Sequence, residues 1–387
     1  MWIRQNKLLL GKILLLLGII FVVMSGLTAF GCVGRGTTPI GWSGVAIVDD
    51  ALFLGSKGGK LVALDISTHN RLWPDISLET SKPSGGFGCA PSSATAAVIY
   101  GTPVVAGDLV YVGSYDGKVH AISSSTGVKR WVHPLEGNLK PIVGGLLVSQ
   151  GKVYFGCSDG KVYALHADTG DPEWESPFQT GDKVWSTPAI DDDTLFVGSF
   201  DKKLYAIDAK DGRKRWEFEA EGAIASTPFI YNNTVYIGSF DKHLYAVNAT
   251  DGSLKWRSRV EAGNWFWTSP IAYNDVIYAG CVDDKVYILD AESGHEVVSA
   301  IDLESPIYSS PVLVDNSIII ASEEGKIHSL NTDSNQIRQL ASVEADTYAP
   351  LMASDGVVYI HTQNKEGLYA LNAQTGVILW NLSLSGE

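Results

Sequence analysis

From Gly41 onward the chain repeats itself at about 42 residues. A period of that length restricts it to a stack or ring of like units. Aligning on the Gly of "VGS" brings Gly55, Gly113, Gly156, Gly198, Gly238, Gly280, Ala321 and His361 into register. The intervals are 58, 43, 42, 40, 42, 41 and 40 residues. Only the first is long, which predicts an insertion over about residues 77–96 between units one and two. That stretch, "SLETSKPSGGFGCAPSSATA", is rich in Ser, Gly and Pro, the composition of a loop.

Each unit reads as four short strands. In the copy "STPAIDDDTLFVGSFDKKLYAIDAKDGRKRWEF", Ser186 to Phe218, the first strand carries "STPAI" and the second alternates as "TLFVGS". A turn leads to "KLYAID", and "AKDGR" leads to a strand holding a Trp. Four strands in 40–45 residues is the period of a propeller blade, and no helical pattern interrupts it. The expectation is an all-β protein: one eight-bladed β-propeller of four-stranded antiparallel blades over residues 41–387. Every blade should be complete, the first strand starting near Trp42 and the last being Val377–Leu382. Strand order puts the hairpins between second and third strands on the same face as the crossings between blades. We call this the crossing face; the insertion belongs to it.

The segments "YAIDAKDGRKRW", "YAVNATDGSLKW", "YALHADTGDPEW" and "YALNAQTGVILW" resemble the tryptophan-docking repeat of the pyrroloquinoline-quinone-like propellers, over about Gly41 to Leu382. The resemblance implies a structural docking role for Trp73, Trp131, Trp174, Trp216, Trp256 and Trp380. Each stands against a small residue: Ala63, Ala121, Ala164, Ala206, Ala246 or Ala370. Unit six has Ile288 and Val298 at these two positions, an exchange that conserves volume. Unit seven has Ser329 and no Trp, and is expected to be the loosest.

Thirteen residues before each aligned position stand Trp42, Tyr100, Val143, Trp185, Ala225, Trp267, Tyr308 and Tyr348. These should ring the mouth of the central channel, either as inter-blade packing or as an aromatic binding rim. "NWFW" adds Trp265 and Phe266, more aromatic surface than one strand needs. Exposed Trp and Tyr mark interfaces. Asp116, Asp159, Asp201, Asp241 and Asp283 recur in the hairpins on this face and read as turn formers. Cys157 and Cys281 replace a recurring Ser, three blades apart and too distant to pair.

The chain carries a net charge of −14, with 43 acidic against 29 basic residues. No basic patch offsets this, so a nucleic-acid partner is excluded. Arg4, Lys7 and Lys12 precede the apolar run Ile13–Phe30, the pattern of a signal peptide or membrane anchor over residues 1–31. Gly31-Cys32 resembles the end of a lipoprotein signal, with Cys32 lipidated and 32–40 a tether; an uncleaved anchor or a secreted product are the alternatives. All three are extracytoplasmic. A short tether would hold the crossing face towards the membrane.

Two functional classes follow. The first is a non-catalytic scaffold for protein partners at the membrane, since the repeat and anchor together resemble the propeller lipoproteins of outer-membrane barrel-assembly machines. The second is a pyrroloquinoline-quinone and calcium-dependent dehydrogenase, or a propeller binding a small ligand or carbohydrate. The sequence lacks the vicinal Cys pair of the quinone alcohol dehydrogenases, and its eight His are scattered. No catalytic or metal-ligating group stands out, and no cofactor is expected.

Overall fold

The computed structural model of this protein describes residues 41–78 and 97–384. The expectations for residues 1–40, Cys32 included, and for most of the insertion, residues 79–96, lie outside the described residues. Among the described residues no helix is long and apolar enough to cross a membrane.

Eight antiparallel sheets, each of four consecutive strands, follow one another along the chain. Blade 1 is β1 (Val45–Val48), β2 (Ala51–Gly55), β3 (Lys60–Asp65) and β4 (Ile76–Ser77). Blade 8 is β29 (Met352–Ser354), β30 (Val357–Thr362), β31 (Gly367–Asn372) and β32 (Ile378–Ser383). Among the described residues no strand is exchanged at the closure. Blade 8 instead meets blade 1 through a shared core that includes Val45, Leu54, Tyr359 and Leu368.

Three boundaries differ from the sequence reading. β1 begins at Val45, not near Trp42. The preceding residues bond sideways instead of along a ladder, as where Ser43 Oγ accepts from Gly55 N at 3.0 Å. β32 runs one residue later than Val377–Leu382. Ser77 belongs to β4 and Leu78 is fully buried, so blade 1 reaches beyond the assigned start of the insertion.

The inner two strands of a blade are buried on both faces, because each blade is sandwiched between two others. Second strands such as Thr194–Gly198 therefore read as nearly unbroken apolar runs. The glycine that ends them has a packing cause. A Cβ on Gly198 would lie 2.3 Å from Ile224 Cγ2, and one on Gly238 would lie 2.4 Å from Phe266 Cβ. The residue that enters the next blade presses on this spot. Phe266, 1% exposed, is thus core and not additional binding surface.

The tryptophans join blades at the opposite end. Trp216 pairs with Ala206 and Trp256 with Ala246 across the strands. Each indole reaches the next blade: Trp131 Nε1 donates to Ala167 O at 2.8 Å, Trp174 to Ala209 O at 3.2 Å and Trp256 to Ala291 O at 2.9 Å. Trp73 and Trp216 donate likewise to Ser124 O and Ala249 O. The ring lies flat on the turn glycine of that blade. Gly212 has φ +77°, and a Cβ there would sit 2.7 Å from Trp174 Cδ2. At the closure Trp380 meets His69 instead, at 4.6 Å between ring centroids.

Where the tryptophan is missing, other chemistry joins the blades. Ile288, paired with Val298 in blade 6, packs in one apolar cluster with Ile318 and Leu330 of blade 7. In blade 7 Arg338 stands opposite Ser329 and donates to Gln374 O of blade 8. A hollow of about 380 Å³, lined by Ser317, Ser329, Asn331 and Arg338 among others, opens there.

The hairpin aspartates do more than form turns. Asp201 accepts from Lys203 N at 3.0 Å through one oxygen, and from Tyr205 Oη at 2.7 Å and Gly181 N at 2.6 Å through the other. One carboxylate thus ties a hairpin, its third strand and the incoming crossing together. Tyr163, Tyr245 and Tyr287 repeat the bond to Asp159, Asp241 and Asp283.

His120 holds this tyrosine's position in blade 2. It is 1% exposed, and neither ring nitrogen has a partner. Burial pushes it down to about 3, with Lys129 and Lys118 adding to the effect. The folded state therefore keeps His120 neutral at pH values where the unfolded chain, titrating near 6.5, takes up a proton. Stability is lost as pH falls from about 6.5 towards 3, by up to ~1.4 kcal/mol per pH unit from this group. Urea unfolding of the wild type and His120→Leu across that window should show the shallower pH slope in the variant.

Candidate protein-binding face

The crossing face is held by paired backbone bonds between hairpins and crossings: Tyr115 N to Val98 O at 2.8 Å, Phe200 N to Lys183 O at 3.0 Å and Phe240 N to Ala223 O at 2.9 Å. The aromatic positions at the start of each blade are thereby set beside the hairpin tips. Trp42, Tyr100, Trp185, Trp265, Trp267, Tyr308 and Tyr348 are all half-buried.

They fall into two arcs. One runs through blades 7, 8, 1 and 2. Its centroid separations are 5.4 Å for Tyr308–Tyr348, 6.1 Å for Tyr348–Trp42 and 4.7 Å for Trp42–Tyr100, with Tyr115 5.5 Å beyond Tyr100. The other spans blades 4 to 6. Trp185 meets Phe200 at 4.7 Å, Phe200 meets Phe240 at 5.6 Å, and Phe240 stacks on Trp265 at 4.6 Å and Trp267 at 5.8 Å. Val143 and Ala225 add no ring.

Phe200, Phe240 and Tyr115 were missed by counting back from the repeat glycine. Their signal is the aromatic in "GSFDK" and "GSYDG", at a turn position where polar residues are usual. Phe200 and Phe240 bridge neighbouring aromatic positions, and without them the second arc would be broken, while Tyr115 extends the first arc beyond Tyr100.

The arcs differ in charge. Lys183 Nζ sits 4.6 Å from the Trp185 ring centroid and 4.4 Å from that of Phe200, a cation–π arrangement. The other arc carries acid: Tyr348 Oη donates to Glu323 Oε1 at 2.7 Å. Burial pushes the Glu323 carboxyl up, the Tyr348 bond opposing it, and burial also raises Asp346. Burial lifts the phenols of Tyr100, Tyr308 and Tyr348 above the ordinary tyrosine range.

Among the described residues no reactive constellation accompanies the aromatics. Cys157 and Cys281 are buried free thiols; Cys157 Sγ donates to Lys140 O at 3.2 Å, and burial pushes it up to about 12. A thiol held protonated is a poor nucleophile. Among the described residues no group of three or more His, Cys, Asp or Glu side chains is placed to hold a metal ion.

The eight sheets and their crossing face define an eight-bladed repeat propeller with two arcs of aromatic side chains on that face. A family model described as outer membrane protein assembly factor BamB matches residues 37–184 and 159–382. The chain belongs to this PQQ-type propeller family. Among curated proteins it is 34% identical over 74 residues to the outer membrane protein assembly factor BamB of Moranella endobia (strain PCIT). That match spans 19% of this chain and 19% of the relative's length. Among solved structures, BamB from Moraxella catarrhalis superposes with a TM-score of 0.67 at 20% identity, covering 82% of this chain and 92% of that one. The computationally designed Ika8 protein superposes with a TM-score of 0.70 at 18% identity, covering 87% and 97%. These two likenesses show the fold.

Proposed function

We propose that this protein is an extracytoplasmic scaffold without catalytic activity or cofactor, held at a membrane by its N-terminal segment, that binds protein partners during outer-membrane protein assembly. The observation that carries the reading is the aromatic arc Trp185–Phe200–Phe240–Trp265–Trp267. Five large rings left half-buried on one face cost hydration free energy that a partner would recover, and such aromatics dominate interface energetics. Membership of the assembly-factor family supports the biological setting.

A photo-cross-linker at position 240 should capture membrane-embedded assembly proteins, whereas one at position 211, in a turn on the opposite face, should not. Trp265→Ala should reduce capture from a linker at position 200 without changing the unfolding midpoint. Preferential capture from position 211 would overturn the assignment of the face. Dye reduction on adding pyrroloquinoline quinone and calcium would overturn the scaffold reading itself.

A further inference from the structure

At the closure of the ring the aromatic wall is joined to a carboxylate, and the adjoining hairpin carries a buried amide without a partner. Trp42, Tyr308 and Tyr348 are contiguous, and Tyr348 is tied to Glu323. The segment carrying Tyr348 is pinned between two hairpins. Thr347 N donates to Glu323 O at 3.0 Å, and Gln363 N donates to Asp346 O at 2.9 Å. Glu323 and Gln363 hold, in blades 7 and 8, the register position that Phe200 and Phe240 hold in blades 4 and 5. Glu323 therefore stands beside the aromatic wall, bonded to Tyr348, and Gln363 is held through its backbone to the segment that carries Tyr348.

Gln363 is 5% exposed, and neither its amide oxygen nor its amide nitrogen has a partner. An unpaired buried amide is unfavourable until a partner satisfies it. Among the described residues neither Glu323 nor Asp346 forms an ion pair. In the opposite arc the chain supplies its own cation, Lys183, over Trp185 and Phe200. The closure arc combines the same kind of aromatic wall with a carboxylate and an unpaired amide.

We propose that this site binds the guanidinium of an arginine carried on an extended segment of a partner protein. A planar guanidinium stacks on aromatic faces while donating in its own plane to Glu323 and to the Gln363 oxygen. The Gln363 nitrogen needs an acceptor, which a free organic cation lacks and a peptide carbonyl provides. The net charge of −14 favours approach of a basic segment. This inference rests on the crossing face being the partner-binding face.

The test uses the full chain and three probes: acetyl-Gly-Arg-Gly-amide, its citrulline counterpart and ethylguanidinium. Binding is followed by NMR at the Trp42 indole N–H, assigned with Trp42→Phe. The arginine peptide should bind about tenfold more tightly than either other probe, a ratio set by the charge-assisted bonds and the peptide carbonyl. Glu323→Gln should weaken it about tenfold at an unchanged unfolding midpoint, and Gln363→Leu about threefold or more at a midpoint that is not lowered. Equal binding of arginine and citrulline peptides, or indifference to Glu323→Gln, would overturn the site. Equal binding of ethylguanidinium would assign it to free cations and overturn the partner segment. If position 240 still captures partners while the arginine peptide fails to bind, only this inference falls. If capture fails as well, the reading of the face falls with it.

Discussion

Trp174→Ala should lower the unfolding free energy by about 3–5 kcal/mol, the range for truncating a buried tryptophan. The indole is 4% exposed, donates to Ala209 O of the next blade and covers Gly212. Truncation opens a cavity at a seam and removes one of the donors to Ala209 O, which keeps the Tyr154 hydroxyl at 3.0 Å. Neighbouring side chains cannot collapse into the gap, since the turn beneath it has no side chain to offer. Trp216 makes the same bond but is only half-buried, so its truncation should cost less. Val298→Ala in blade 6 removes two methyl groups and no hydrogen bond, for about 1–2 kcal/mol. Urea unfolding of the three variants should rank them in that order. Equal losses for Trp174 and Val298 would show that the indole bonds do not hold the seams.

Gly198→Ala should be nearly as damaging for so small a change. The added Cβ would meet Ile224 Cγ2 at 2.3 Å and Ile224 O at 2.9 Å. Overpacking at a site with no room costs about 1–3 kcal/mol, and contact with backbone places this case at the upper end. Ile224→Ala alone should cost about 2–5 kcal/mol through its cavity. The double variant should lose less than the two single losses combined, by about 0.5–3 kcal/mol, because the new methyl group enters the new space. The chain already makes such an exchange at its closure. His361 stands at the aligned glycine position and Gly41 at that of Ile224, and His361 Nδ1 bonds to Ser43 O at 2.7 Å across the seam. Strict additivity in the double-mutant cycle would mean that the glycine is not kept for this contact.

Much of the fold was legible because the repeat states the same local rule many times. Alternating apolar residues, a Gly-containing turn and a Trp set against Ala recur in most units. Each is a local requirement of strand, turn or docking that residues within one period satisfy. Blade number followed from counting, and sheet order from the shortness of the connections. The aromatic positions at the blade starts were legible too, but their partners were not. Phe200 and Phe240 lie outside that register, and only the stacking of neighbouring hairpins shows that they link Trp185 to Trp265.

The sequence by itself determined the architecture, because a propeller's strands pair almost wholly with their neighbours in the chain. Only the tertiary structure decided which exceptions to the repeat matter. Phe266 reads as surplus aromatic surface until the next blade's geometry shows it filling the space above Gly238. Gln363 reads as an ordinary polar turn residue until the closed ring buries it without a partner. Glu323 reads as a hairpin acid until Tyr348, 25 residues away, is found bonded to it. Burial and pairing at these positions are set by adjoining blades, with residues 318 apart brought into contact where the ring closes, as His361 and Ser43 are. A local pattern cannot encode what a distant segment places beside it, so the propeller could be read from the repeats while the chemistry of its face could not.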